Sequence, residues 1–535
     1  MPSAAVDQTY ILVQPEEAVR RYQCRQLQCQ LGLQERQCPR PVEGPVGAET
    51  VPAPAARRNP GNLDEKSKDF PFCNHHVDEA VHSAKRGFRI LRRLSAAERY
   101  THLNRYREIL ANRAERLALL DSFEIGKPIW ESRQEIADCL MVIDHFLQMG
   151  SQTTLETPVP DAKPGIDGVV RYFPMGVIAV VSQSVMPLVS IHHHFIPALM
   201  NGNAVVVKTT KFAPALGQAI AECIHEAGLP AGAFNFLQGD GDIARRLTGH
   251  PDVDGVFFTG TPETSIAIKK QLLNDYWKIQ IIQSGGKNAS IVWDDCDYDR
   301  TLKSLLLSAF SASGQRYTNT SRIIVHHKIH DRLINDFHAL CKKIPIGYGL
   351  STTGPTPFMG PLVSDRLVDD YLRYQGIAVR EGCEEIMRGK PLERSPKGYY
   401  VSPSVYSISK PDPKSVYQNS EFFGPQVAFY SASDLDEAVE INNQTQFGLV
   451  ASFFSANQKN FEFFVQEARV GLCHWNLPTT QVSYRMPFLG LRKSGNMRPM
   501  GTFSGYQCTY PVSSLISPPE MEKAPLFPKA LTEWI

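Results

Sequence analysis

No stretch of this 535-residue chain is long and apolar enough for a membrane helix. Such a helix needs about 18 apolar residues in a row. The longest candidate, Gly176 to Val207, is broken by Ser182, Gln183 and three histidines. A charge surplus is also missing: 56 lysines and arginines face 55 aspartates and glutamates, a net charge of +1. That excludes the broad positive field a nucleic-acid binder uses, so neither membrane nor nucleic acid is an expected partner. The 11 cysteines form an odd, thinly spread set with no CxxC pair. Cys24, Cys29 and Cys38 lie close together, but their spacing reads as ordinary thiols rather than a zinc site. Met1-Pro-Ser-Ala-Ala-Val-Asp7 has neither the basic end nor the apolar stretch of a secretory signal. Reduced thiols and a cytoplasmic location are therefore expected.

What is present is globular. Apolar residues make up 42% and charged residues 21%, and the length exceeds one domain. Residues 1–57 read as an extension or linker, with Gln, Arg and Cys from Tyr22 to Cys38, then Pro, Ala and Gly to Pro60. Val77, Ala80, Val81, Ala84, Phe88 and Leu91 recur at helical spacing. A second helix is expected from Ala96 through Leu120, opened by Ser95 with Glu98 as a capping box. Gly126-Lys-Pro128 ends it, and a third helix carries Ile136, Leu140 and Ile143. Thr153 to Gly168 reads as a turn-rich excursion around Pro158, Pro160 and Pro164.

Short apolar runs then alternate with helices. Val177–Val181, Ala204–Val207, Ala233–Leu237 and Gly255–Phe258 are expected strands. His192–Met200, Ala215–Ala227 and Ile243–Leu247 are the helices between them. Continuous apolar strands separated by helices indicate a parallel sheet covered on both faces. The alternation restarts at Ala289, with Ile291-Val292, Ile323–Val325 and a helix from Leu333 to Cys341. A second α/β domain to about Trp475 follows from this.

Several strand ends carry chemistry of the kind α/β sheets use for ligands. Lys208 closes a strand; Phe257-Phe-Thr-Gly260-Thr261 ends another before a helix, a fair anion site through backbone amides. Ser284-Gly-Gly-Lys287, Gly314-Gln-Arg316, Glu421-Phe-Phe-Gly-Pro425 and Pro487-Phe-Leu-Gly490 read singly as structural turns. In this order and spacing they resemble the aldehyde dehydrogenase superfamily from about Arg58 to Ser514. Glu124–Pro128, Leu229–Gly239 and Asn443–Leu449 support the resemblance. Asn442-Asn443, Ser494–Pro499 and Tyr506–Leu515 look most like the N-succinylglutamate 5-semialdehyde dehydrogenase branch.

The resemblance implies an α/β fold. A doubly wound Rossmann-type cofactor domain would span residues 58–150 and 174–288, and a catalytic-type domain 289–481. An oligomerisation arm and C-terminal segment would take 151–173 and 482–516, leaving a tail at 517–535. It also implies a reaction: a cysteine thiolate attacks an aldehyde, amides hold the oxyanion, hydride passes to a nicotinamide, and a glutamate activates water on the thioester. This chain departs from that pattern at three positions. Where the nucleophile follows Gly-Gln-Arg there is Tyr317, the oxyanion amide's position is Val185, and the general base's is Gln283. No cysteine lies between Cys296 and Cys341. A phenol ionises near pH 10, valine cannot donate a hydrogen bond, and glutamine offers no basic charge.

The cofactor positions are mixed. Lys208, Gly260, Thr261, Glu421 and Phe423 match residues that touch NAD or NADP in the family. Lys211 stands where a ribose-binding glutamate is common, and reads either as a partner for a 2′-phosphate or as a solvated lysine. Ser265 replaces a glycine that lets backbone approach the pyrophosphate. His192, His193 and His194 point about 100° apart on a helix and are not expected to hold a metal. The expectation is therefore an aldehyde dehydrogenase fold that is catalytically inactive, kept for binding or assembly as a homo-oligomer. The alternatives are an active NAD(P)-dependent semialdehyde dehydrogenase of atypical mechanism, and a structural subunit.

Overall fold

The computed structural model describes residues 58–516 apart from 68–69, 71, 150–155 and 352–353. The cysteine group at 24–38, the N-terminal extension, the C-terminal tail and residues 151–155 of the expected arm lie outside the described residues.

The first half forms the expected parallel sheet. Its five strands run in the order Phe234–Leu237, Ala204–Lys208, Val177–Val181, Gly255–Gly260, Ile279–Ser284. Every pairing is parallel. Alternate residues of each strand enter opposite cores, which is why the runs are apolar throughout. Ile178, Val180, Val205, Val207 and Phe257 join the helices Ala96–Asn112, Ile129–Met149, Pro187–Met200 and Pro214–Glu226 on one face. Val177, Ala179, Val181, Val206 and Phe258 meet the helices His75–Leu91 and Gly241–Thr248 on the other.

The second half holds a seven-stranded sheet: Glu384–Met387, Ser404–Ile408, Gln426–Ala432, Thr320–His326, Asn288–Val292, Val450–Phe454, Leu472–Trp475. Only Glu384–Met387 is antiparallel. The sheet's last strand ends at Trp475.

Two expectations are corrected. The helix from Ala96 to Leu120 is two helices, Ala96–Asn112 and Ala114–Ile125, divided at Arg113, whose φ of −106° and ψ of 8° leave the helical region. The break carries neither Gly nor Pro, so no local signal marks it. The Ser95–Glu98 capping box is present, and Gly126 ends the second helix in the left-handed region at φ 87°. The described part of the expected turn-rich excursion is mostly strand. Strand Thr157–Lys163 pairs antiparallel with Ile166–Pro174, which pairs in turn with Thr509–Ile516. Pro158 and Pro160 are tolerated because Thr157–Lys163 is an edge strand. No described helix is long and apolar enough to cross a membrane.

Candidate active site

The five-stranded order changes direction between Val177–Val181 and Gly255–Gly260, and ligands of such sheets bind beyond the carboxyl ends at that point. Val185 lies in the loop leaving Val181. It is buried and belongs to the apolar cluster shared by helices Ile129–Met149 and Pro187–Met200. Gln283 lies near the carboxyl end of Ile279–Ser284, opposite Thr259, and is 1% exposed. Its Nε2 donates to the Arg498 carbonyl at 3.1 Å, and its buried Oε1 has no protein partner.

Tyr317 is presented by a tightly built loop. Ala312, Ser313 and Gly314 occupy the left-handed region at φ 48°, 57° and 72°. Two of them are not glycine, so something must hold the turn. Glu131 does so: both its carboxylate oxygens accept the Ala312 N–H, at 2.7 and 2.9 Å. Gln315 Nε2 donates to the Ala312 carbonyl at 2.8 Å, and Asn319 Oδ1 accepts the Arg316 N–H at 2.6 Å. The Tyr317 ring meets Phe488 edge-on at 6.0 Å and packs against the cluster that contains Val185. Burial holds its phenol well above the ordinary value. Burial likewise raises the thiols of Cys139, Cys223, Cys296, Cys341, Cys383, Cys473 and Cys508.

The cofactor-type residues fall in two groups. Lys208 is buried at the end of its strand, paired with Val181, and its carbonyl accepts the Ser182 N–H. Thr261 caps helix Pro262–Gln271 by accepting the Thr264 N–H, directly after Gly260. Ser265 is buried and donates its hydroxyl back to the Thr261 carbonyl at 3.1 Å, so it hugs its own helix. Lys211 is exposed, its ammonium 5.2 Å from the Phe212 ring centre.

The second group surrounds a cleft of about 20 Å³ lined by Gly286, Lys287, Gly314, Arg316, Glu421 and Phe423, among others. Glu421 Oε1 accepts the Gly286 N–H at 2.8 Å, and burial pushes its carboxyl up to about 8. Gly285 has φ 64°, and a Cβ there would stand 2.3 Å from Glu421 Oε2, so the Gly-Gly turn is required by conformation and by close approach. Sequence reading left Glu131 and Lys287 without roles. Glu131 had a faint signal, an acid on the buried face of an apolar helix.

The three histidines do not converge. His192 contacts the Leu188 carbonyl at 2.7 Å and the Tyr106 hydroxyl at 2.8 Å. His194 contacts the Thr259 hydroxyl at 3.0 Å, and His193 stacks edge-on against Tyr484 at 4.5 Å. All three are buried core residues. No cluster of three metal-ligating side chains occurs among the described residues.

Comparison with known proteins bears on the family and the fold. The model of the aldehyde dehydrogenase family matches residues 56–512. An N-succinylglutamate 5-semialdehyde dehydrogenase of Burkholderia multivorans is 32% identical over 477 residues, covering 89% of this chain and 96% of the relative. Its counterpart from Novosphingobium aromaticivorans is 31% identical over 442 residues, covering 82% and 91%. A crystal structure of an NAD-dependent aldehyde dehydrogenase from Sinorhizobium meliloti superposes with a TM-score of 0.83 at 26% identity, covering 88% and 93%.

Proposed function

Given that this chain belongs to the aldehyde dehydrogenase family, we propose that it keeps the family's ligand-binding scaffold without the covalent oxidation route. The observation behind this reading is Tyr317 at the nucleophile's position. Tyr317 is partly buried, desolvation holds its phenol protonated, and an oxygen nucleophile of that basicity does not replace a soft thiolate at neutral pH. Val185 has no donor for an oxyanion, and Gln283 no charge to activate water. The raised thiols elsewhere offer no ready thiolate.

Dinucleotide binding is part of the proposal. The Thr261-capped helix terminus, buried Lys208 and the Glu421–Phe423 edge suit a pyrophosphate and ribose, and Ser265 keeps its hydroxyl out of their way. A bound nicotinamide would supply hydride acceptance. Lys211, facing solvent, supports neither NAD over NADP nor the reverse.

A second reading has its own support. The semialdehyde dehydrogenases of 31–32% identity and the NAD-dependent neighbour favour a working oxidoreductase. One assay separates the two: purified protein with a panel of semialdehydes and NAD or NADP, followed by reduced-nicotinamide absorbance. Our reading expects no turnover, together with a thermal shift on adding one of the dinucleotides. Robust turnover refutes it, and the absence of any shift at millimolar cofactor removes the binding role and leaves a structural subunit. Self-association is also proposed. Strand Thr157–Lys163 is exposed along its whole length at a sheet edge, and Tyr510, Leu515 and Ile516 are exposed on the opposite edge strand. Light scattering on a sizing column should give a dimer or larger.

A further inference from the structure

The chain's balanced total charge conceals a local surplus of cations. Residues 85–107 hold eight lysines and arginines against one acid, Glu98. They span the end of helix His75–Leu91, the turn after it and the start of helix Ala96–Asn112. Val77, Ala80, Val81, Ala84, Gly87 and Leu91 take the buried face of the first helix. Arg86, Arg89 and Ile90 stand three or four positions apart on its other face and are exposed. Arg92 and Arg93 follow, also exposed; the Arg93 N–H donates to the Ile90 carbonyl at 3.1 Å, so the stripe runs on past the helix end. A Cβ at Gly202, in the turn before strand Ala204–Lys208, would stand 3.5 Å from the Arg92 Cα. This corner therefore lies at the amino ends of the parallel strands, whereas the candidate site lies at their carboxyl ends.

The nearby acids are already engaged. Glu98 accepts the N–H and the hydroxyl of Ser95, at 2.7 and 2.8 Å. Asp252 pairs with Lys85 at 2.7 Å, and Asp144 with Arg107 at 2.8 Å. Arg99 turns inward to the Met200 and Leu94 carbonyls, and Arg92 stands over the Phe88 ring at 5.3 Å. Among the described residues, none of Arg86, Arg89, Arg92 and Arg93 pairs with a carboxylate. Like charges three and four positions apart repel, so a cluster of this kind gains by meeting an anionic surface.

Apolar groups are exposed among these cations. Ile90, within the arginine stripe, is 50% exposed, and Tyr100, on the adjoining helix, 42%. A nucleic-acid backbone uses the cations alone, whereas a bilayer also takes an aliphatic side chain and a phenol at the headgroup level. We propose that this corner is a docking surface for an anionic phospholipid bilayer. Arg86, Arg89, Arg92 and Arg93 meet the anionic headgroups, and Ile90 and Tyr100 enter the interface beside them. The first helix cannot insert, because its apolar face is committed to the protein core; attachment is peripheral and reversible. The surface stands with or without turnover or dinucleotide binding at the candidate site.

The test uses the full chain and vesicles of phosphatidylcholine with or without phosphatidylserine. The protein should sediment with the phosphatidylserine vesicles at low ionic strength, be released at high salt, and stay in solution with phosphatidylcholine alone. No sedimentation with phosphatidylserine, or equal sedimentation with both, overturns the proposal. Arg86→Gln, Arg89→Gln and Arg93→Gln should each weaken binding about fivefold, and together about a hundredfold. All three side chains are exposed, so the melting temperature should hold and reports folding separately. Lys342→Gln with Lys343→Gln, an exposed pair just past helix His330–Cys341, should leave binding unchanged. A loss equal to that of the arginine variants would show mere charge attraction and refute the surface. Ile90→Ser should weaken vesicle binding at constant charge. A single-stranded oligonucleotide bound more tightly than the vesicles, with Ile90→Ser neutral towards both, would assign the arginines to nucleic acid and overturn the proposal.

Discussion

Acidification should unfold this protein earlier than its near-neutral composition suggests, and the three histidines set the size of the effect. Burial lowers His192 to about 4 and His193 and His194 to about 3, with neighbouring imidazoles adding to the effect at His193. An unfolded histidine titrates near 6.5. A depressed histidine pKa means that the unfolded chain binds the extra protons. Stability therefore falls as pH drops below about 6.5, and goes on falling until the folded pKa is reached. At pH 5 the loss depends almost wholly on the unfolded value, because all three folded values lie well below. It comes to about 2 kcal/mol per histidine, or about 6 kcal/mol together. His193 offers the cleanest test. Its Nδ1 has no partner and its ring packs against Tyr484 and Phe488, so His193→Phe removes the titration and retains the packing. Urea unfolding at pH 7.5, 6 and 5 should show the variant losing about 2 kcal/mol less than the parent over that interval. Parallel pH profiles for the two proteins would refute the assignment of the effect to this side chain.

Tyr317→Cys alone should leave turnover undetectable, because Val185 and Gln283 still lack a donor and a base; near-family rates from that single change, in the semialdehyde assay, would show those two positions to be misread. Glu131→Gln should cost about 1–3 kcal/mol in urea unfolding, since both carboxylate oxygens hold the Ala312 N–H and one also faces Arg316; an unchanged midpoint would mean the left-handed pair holds itself. Gly285→Ala should lower the melting temperature and weaken any dinucleotide-induced shift, because the new methyl meets Glu421 Oε2; a normal shift would show that Glu421 is free to move.

The sheet layers were legible because both faces of each strand are buried. Val177–Val181 and Ala204–Val207 read as unbroken apolar runs, and both cores take alternate residues from them. The break at Arg113 was not legible, since helical periodicity continues on either side and packing, not propensity, decides where the chain turns. The Thr157–Lys163 hairpin was misread because its prolines signal a loop unless one knows that the strand lies at an edge. At the candidate site, Gly260-Thr261 and Glu421-Phe422-Phe423 carry recognisable motifs. Glu131 and Lys287 carry none. Their roles arise from contacts across 181 residues to Ala312 and from rings brought alongside in space.

The three substitutions at the proposed reacting positions each have a structural role in this chain. The Gly285 turn lies under Glu421, Thr261 caps its helix, and Glu131 holds the left-handed loop before Tyr317. On the proposed reading, Val185, Gln283 and Tyr317 are altered where the resemblance gives a reacting role, and Lys211 and Ser265 are altered on the cofactor side. Tyr317 and Val185 are absorbed into apolar packing, where their side chains add contact area. Gln283 anchors to the Arg498 carbonyl through the amide N–H that a glutamate would lack. A glutamate at 283 would set a carboxylate against that carbonyl in a nearly sealed position, so restoring the acid here should itself be destabilising. Comparing Gln283→Glu with Gln283→Leu separates the two terms. If the position now serves packing and that one hydrogen bond, the glutamate variant should melt lower than the leucine variant at pH 8, and the gap should narrow as the carboxyl is protonated towards pH 5. A glutamate variant as stable as the parent at pH 8 would show that the site still accommodates a base.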